Sequence, residues 1–314
     1  MSHQQLKIMN SSRVSYFTLA AYDSGLLRHL FFITLICMYV VILCANVLLI
    51  VVICMNRSLH EPMYVFLCSL FVNELYGSTG LFPLLLLQIL SDVHTVSRPL
   101  CFLQIFCLYT YANVEFCNLA VMSYDRYLAI CCPLQYNTRM TVNRVAVLIA
   151  LSWLFPFVEV AVMICLSAPL QLCGNIINKV YCDNYNVVKL ACSDTSVNNI
   201  YGTIYSTVIV GGVIFSVFFT YVKILKICLS GSKQTRQKAF STCTPHLVSL
   251  LNFCCGATFE VFQSRFDMRS VPNALRVCLS LYWITCQPLF NPFIYGLNLT
   301  KIRISCKSLL AGKM

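Results

Sequence analysis

The side chains able to do chemistry in this chain are few, and their spacing follows helix faces. Asp125 and Arg126 form an adjacent ionic pair at the end of an apolar run that begins near Leu100. From Arg126 back to Cys101 is 25 residues, about 37 Å of helix, slightly more than a hydrocarbon core of about 30 Å. Cys101 and Arg126 therefore belong at opposite faces of a membrane. Glu115 lies eleven residues before Arg126, so Glu115, Asn118, Met122 and Arg126 share one helix stripe at about 100° per residue. A lipid-facing helix would not align polar groups in this way, so the stripe looks into a helix bundle. Taken alone, an Asp-Arg dipeptide reads as a snorkelling pair at the interface. Glu74, Glu159 and Glu260 also fall within apolar runs, where an uncompensated charge is costly and each needs a cation, a proton or a ligand group. The set suits binding and switching rather than catalysis. The five His are scattered, and no metal or phosphate motif is present.

The elements that must position these residues are membrane spans. Of 314 residues 59% are hydrophobic and only 11% charged, with a mean hydropathy of +0.75, outside the range of soluble domains. Runs of spanning length fall at Leu30 to Met55, Met63 to Leu90, Leu100 to Cys131, Val145 to Leu166, Ile200 to Leu229, Phe240 to Phe262 and Ala274 to Tyr295. The expected fold is an all-α seven-transmembrane bundle over residues 29–296, with an outer tail at 1–28 and a short amphipathic inner tail at 297–314. Residues 1 to 29 are mostly polar and the first span is too long for a signal-peptide core, so that span is expected to act as an uncleaved anchor.

The net charge of +11 would point to nucleic acid in a soluble protein. Here the basic residues flank spans and read as topology signals, with 13 Lys/Arg inside and 9 outside when the amino terminus is placed outside. That bias is small and reverses locally at the first span. Cysteine placement adds to it: Cys101, Cys173, Cys182 and Cys192 share the outer side, an even set that suits an oxidising compartment. Four cysteines allow three pairings. The other sixteen read as small soft hydrophobes. Asn10-Ser11-Ser12 is a glycosylation acceptor, consistent with an outer amino terminus.

The stretch VMSYDRYLAIC, Val121 to Cys131, resembles the signature at the inner end of the third helix of rhodopsin-like G-protein-coupled receptors, in the form typical of olfactory receptors. Pro62-Met63-Tyr64 with Phe66-Leu67 is similar to the family's PMYFFL. Lys238 to Cys243 with His246 resembles KAFSTCxxH. Pro288, Asn291, Pro292 and Tyr295 match PxxNPxxY. The resemblance covers most of the chain, with three departures: Ala45-Asn46 replaces the family's GN, Glu74 stands where the family usually carries Asp, and its FYG becomes Phe253-Cys254-Cys255-Gly256.

The resemblance implies an odorant receptor in the plasma membrane, binding a small odorant from outside and activating a heterotrimeric G protein of the stimulatory, olfactory class. It implies coupling roles for Asp125, Arg126, Tyr127, Tyr221, Asn291, Pro292 and Tyr295, with Tyr221 and Tyr295 approaching Arg126 from either side. It implies disulfides Cys101 to Cys182 and Cys173 to Cys192, holding the long outer loop as a lid. It also implies a sodium site at Glu74 and Glu115 with Asn46 and Asn291; the residues alone fit a shared proton equally well. Candidate ligand contacts in outer, inward-facing helix halves are Leu108, Tyr109, Ala112, Glu159, Tyr205, Cys254, Ala257, Thr258 and Tyr282. Glu260 is expected to pair with Arg276, and Glu159, lacking a basic partner, to meet a polar or cationic odorant. Near Lys301 to Lys307 an amphipathic segment is expected on the inner lipid surface, with Cys306 open to palmitoylation. A transporter would also hold mid-membrane carboxylates, but the duplicated halves typical of that class are not evident; a non-olfactory receptor of the same fold is the nearer alternative.

Orientation is directly testable. A tag at the amino terminus should stain on intact cells and one after Met314 only after permeabilisation; the reverse staining would overturn the topology.

Overall fold

Backbone amides find no water inside a bilayer, so each apolar run satisfies its own hydrogen bonds as a helix. The structure is a computed structural model that describes residues 14–22, 28–230, 233–265 and 271–311. Asn10 lies outside the described residues, as do the side chains of Lys233, Arg236 and Lys238 to Thr242. The long helices are α1 (Arg28–Met55), α2 (Pro62–Leu90), α3 (Arg98–Cys131) and α4 (Val142–Ser167). Then come α5 (Ser196–Ser206 and Gly212–Ser230, joined by a π-helical turn at Thr207–Gly211), α6 (Lys233–Arg265) and α7 (Asn273–Asn298). A short α8 (Thr300–Leu310) follows. Local sequence sets several starts. Proline in the first turn of α2 and α3 removes an N–H that has no helical partner anyway, and Thr141 caps α4 by accepting from the Arg144 amide.

Among the described residues α1 to α6 are each long and apolar enough to cross a membrane. The seventh, α7, is less apolar because Ser280, Thr285, Gln287 and Asn291 line one buried face, yet it packs against α6, α1 and α2 as part of the same bundle. Polar groups turned inward in this way are tolerated where the same groups facing lipid would not be. The hub is α3. Its most apolar window is 56% buried, against 22% for α4, and it touches α2, α4, α5 and α6.

The lid expected at the outer end contains a small three-stranded sheet that the sequence did not reveal. Strand β1 (Tyr16–Leu19), from the expected tail, lies between β2 (Thr95–Ser97), antiparallel to it, and β3 (Ile176–Ile177), parallel to it. Alternation along β1 turns Phe17 and Leu19 into a cluster with Val96, Ile177 and Cys182 above α3. Disulfides Cys101–Cys182 and Cys173–Cys192 fasten this layer, the pairing that the resemblance implied.

The lid faces water, so its apolar cluster is held by the ordinary hydrophobic effect. Replacing the fully buried Phe17 by Ala should cost about 3–5 kcal/mol locally. Hydrogen exchange should then quicken at Tyr16–Leu19 and Thr95–Ser97 while the inner halves of α2 and α3 stay protected. Unchanged exchange at β1 would mean the strand carries no such load.

Candidate functional site

At the inner end Asp125 is fully buried and accepts from Arg126, whose Nε lies 3.1 Å away and whose Nη2 is closer. The other oxygen, Oδ1, accepts from Tyr136 Oη at 2.7 Å, a partner that the sequence reading missed because Tyr136 sits beyond the helix. Tyr221 approaches Arg126 closely enough to feel its charge, as expected, but its hydroxyl bonds elsewhere. Tyr221 Oη bonds His246 Nδ1 at 2.7 Å, and His246 Nε2 lies 2.9 Å from the Leu119 carbonyl. A carbonyl only accepts, so Nε2 carries the proton and Nδ1 accepts from Tyr221. One imidazole thereby ties α5, α6 and α3 together. Tyr295 is buried edge-on to Phe71 and lines a small crevice with Arg126, His246 and Met122. Tyr127 packs beside Ile224, Cys228 and Cys243.

Half-way through the bundle Asn291 Nδ2 donates to Glu74 Oε1 at 2.6 Å and reaches Glu115 Oε1 at 3.3 Å. Glu115 Oε2 accepts from Asn73 Nδ2 at 3.0 Å. All four side chains are fully buried. Asn46 does not join them as expected. Pro292 has no N–H for the Pro288 carbonyl one turn earlier, and Asn46 Nδ2 fills that vacancy at 2.9 Å while also donating to Ile42. Just above, the Tyr111 ring lies against α2 only because residue 77 is glycine; a Cβ there would sit 2.3 Å from the ring.

The outer site hangs from the loop between α4 and α5. Cys182 N donates to Gln104 Oε1 of α3 at 2.9 Å. Lys179 pairs with Glu260 of α6 and lies 3.6 Å from Asp183. Tyr181 Oη donates to Glu260 Oε1 at 2.6 Å and accepts from Trp283 Nε1 of α7 at 3.1 Å. Tyr109 Oη donates to Asp183 Oδ1 at 2.5 Å. The expected Glu260–Arg276 pair is therefore corrected: Arg276 instead donates to Asn273 at 3.0 Å. Burial alone would raise the Asp183 pKa, but Lys179 and hydrogen bonds from Tyr109 and Asn186 outweigh it and hold the carboxyl below the usual range. Burial likewise opposes the charged form of Lys179, and Asp183 and Glu260 outweigh it, holding the ammonium above its usual range.

The whole arrangement has counterparts among known proteins. A family model for olfactory receptors matches residues 35–313. The chain is 34% identical to olfactory receptor 11A1 of Homo sapiens, covering 97% of this chain and 96% of that one. It is 33% identical to olfactory receptor 6E1 of Mus musculus, with 94% of each covered. The chain belongs to the olfactory receptor family. Its fold is similar to that of squid rhodopsin, with a TM-score of 0.74 at 17% identity over 93% of this chain and 88% of the other. Olfactory receptors with this seven-helix fold are signalling receptors of the rhodopsin-like, G-protein-coupled class rather than enzymes.

Of the ligand contacts expected for this receptor, Leu108, Ala112, Tyr205, Cys254 and Ala257 converge on one cluster at the outer centre of the bundle. Tyr109 turns up to the lid. Thr258 and Tyr282 do not face inward: both are exposed, and Tyr282 donates to Asn252 along the outside while its neighbour Trp283, about 100° round the helix, is buried. Glu159 is half-buried between α3, α4 and α5. Tyr201 donates to its carbonyl at 2.9 Å, its Oε2 has no hydrogen-bond partner, and Tyr205 and Cys117 lie within reach of its charge. Lys179, Tyr181 and Asp183 were missed as site residues; Lys179, alone of its charge between Cys173 and Cys182, was the available signal.

The lid ion pair fixes its own pH window. A lowered aspartate adds stability that is full above its unfolded pKa of about 3.9 and is lost as pH falls through the lower folded value. A raised lysine adds stability that is full below about 10.4 and is lost as pH rises through the higher folded value. Lid protection in hydrogen exchange should therefore hold from about pH 5 to about pH 9, and Asp183→Asn should remove its acid limb. Loosening of the wild-type lid near neutral pH would contradict the pairing.

Proposed function

We propose that this olfactory-family receptor is an odorant receptor of the plasma membrane. A small molecule enters from the outer side, beneath the disulfide-tied loop, and biases a two-state bundle whose inner face engages a G protein of the stimulatory class. One observation carries the reading. A single helix, α3, bears both the lid contact of Tyr109 and the Asp125–Arg126 pair, so a shift of α3 caused by ligand at one end is felt at the other. In the resting state Arg126 is held by Asp125, itself fixed by Tyr136; release of Arg126 exposes it to the G protein. Signalling should be lost in Arg126→Ala with surface expression retained, read as cyclic AMP against surface stain. Persisting signalling would reduce the pair to an anchor.

The mid-membrane group belongs to the same proposal. Two carboxylates that share one amide donor in a water-poor interior need a compensating positive charge. Glu74 Oε2, Asn291 Oδ1, Asn73 Oδ1 and Ser78 Oγ are buried without hydrogen-bond partners, an all-oxygen set that fits a hard cation such as sodium; a proton shared by the pair answers the same need. Glu74, Glu115 and Asn291 would hold the ion, which supplies charge and no reaction step.

Glu159 is proposed to contact polar or amine-bearing agonists. Glu159→Gln should weaken responses to amines by about 1.5–3 kcal/mol, the worth of a charge-assisted hydrogen bond, and spare neutral ligands. Equal losses for all ligands would make Glu159 structural.

A further inference from the structure

The outer end also holds a cavity of about 520 Å³ between the loop, α6 and α7, within the size range of small-molecule sites. Its charged lining residues, among the described residues, are Lys179, Lys189, Arg265 and Arg276, all cationic. Lys179 is already paired with Glu260 and Asp183, neither of which lines the cavity. Even with those two carboxylates counted, the group is left two positive charges in excess. Arg276 donates one Nη2 bond to Asn273, and its Nε is buried with no partner. Arg265 lies over the Tyr185 ring at 4.8 Å, which fixes its guanidinium beside the cavity. Lys189 is exposed at the end of a short loop helix. A sphere of this volume is about 10 Å across, beyond the screening length of about 8 Å in physiological salt, so selection for an anion here rests on direct contact with the cationic side chains.

We propose that this cavity is a binding site for small organic carboxylates, with Arg276 and Lys189 as the principal anion contacts and Arg265 as a third cation in the lining. A guanidinium presents paired N–H donors that match the two oxygens of a carboxylate, and the unpartnered Nε of Arg276 supplies one of them. Gln263 Oε1, also buried and unpartnered beside the cavity, provides an acceptor for a hydroxyl elsewhere on the ligand. The inference goes beyond the odorant-receptor reading and does not require it, because it concerns binding to the purified chain rather than signalling. It also separates this site from Glu159, whose charge selects the opposite class of ligand.

The test uses full-length receptor in lipid nanodiscs, with hexanoate and benzoate as probes and hexanamide and benzamide as neutral controls of the same shape. Affinity is read by calorimetry and by the rise in melting temperature with ligand concentration. The acids should bind at least about tenfold more tightly than the amides. Arg276→Gln and, separately, Lys189→Gln should each weaken acid binding about tenfold and leave the ligand-free melting temperature unchanged. Lys189 is exposed and makes no buried bond, so its variant decides the matter if Arg276→Gln disturbs folding. Equal binding of acid and amide, no binding of either acid, or acid preference that survives both substitutions would overturn the assignment.

Discussion

One side-chain amide, that of Asn291, touches two fully buried carboxylates, and the centre of the bundle depends on it. The contact joins α7 to α2 and α3 at the depth where water is least available and an unsatisfied charge costs most. Lipid offers no hydrophobic drive to bring helices together, so polar bonds and close packing must do so. Asn73 from α2 completes the set on Glu115, and Asn46 of α1 secures α7 one turn away through the carbonyl that Pro292 leaves free. Four helices thus meet through three asparagines and two glutamates.

The two ends of the molecule are extensions of that centre along α3. From Tyr109 to Arg126 is 17 residues, about 25 Å of helix. At the top, Tyr109 meets Asp183 of a loop whose Lys179 and Tyr181 grip α6 and α7. At the bottom, Asp125 and the His246 bridge hold α3 to its neighbours. Each grip is polar and joins α3 to a different set of neighbours. The apolar clusters between them give shape without direction.

Much of this was legible in the sequence because lipid allows so few solutions. Apolar length gave the spans, and the stripe of Glu115, Asn118, Met122 and Arg126 gave the inward face of α3. Features set by loops were not legible. Lys179 finds Glu260 across 81 positions, a distance that no periodicity reports, and so Arg276 was paired with Glu260 in its place. Tyr282 failed by one step of helical rotation, its neighbour Trp283 taking the inward position. Asn46 was grouped with the carboxylates on the strength of the resemblance, whereas its amide is held by the carbonyl that a proline's missing N–H leaves free on another helix. Strand β1 was hidden because four residues of alternating burial are too few to stand out in a polar tail.

The central claim is that the Glu74–Glu115 pair always carries one compensating positive charge. Infrared difference spectroscopy of the purified receptor in choline chloride, against Glu74→Gln and Glu115→Gln, tests it most directly because no small metal cation is present to supply that charge. The account predicts the carbonyl band of one protonated carboxyl in the wild type, lost in the variants. Two fully ionised carboxylates in that medium would contradict it.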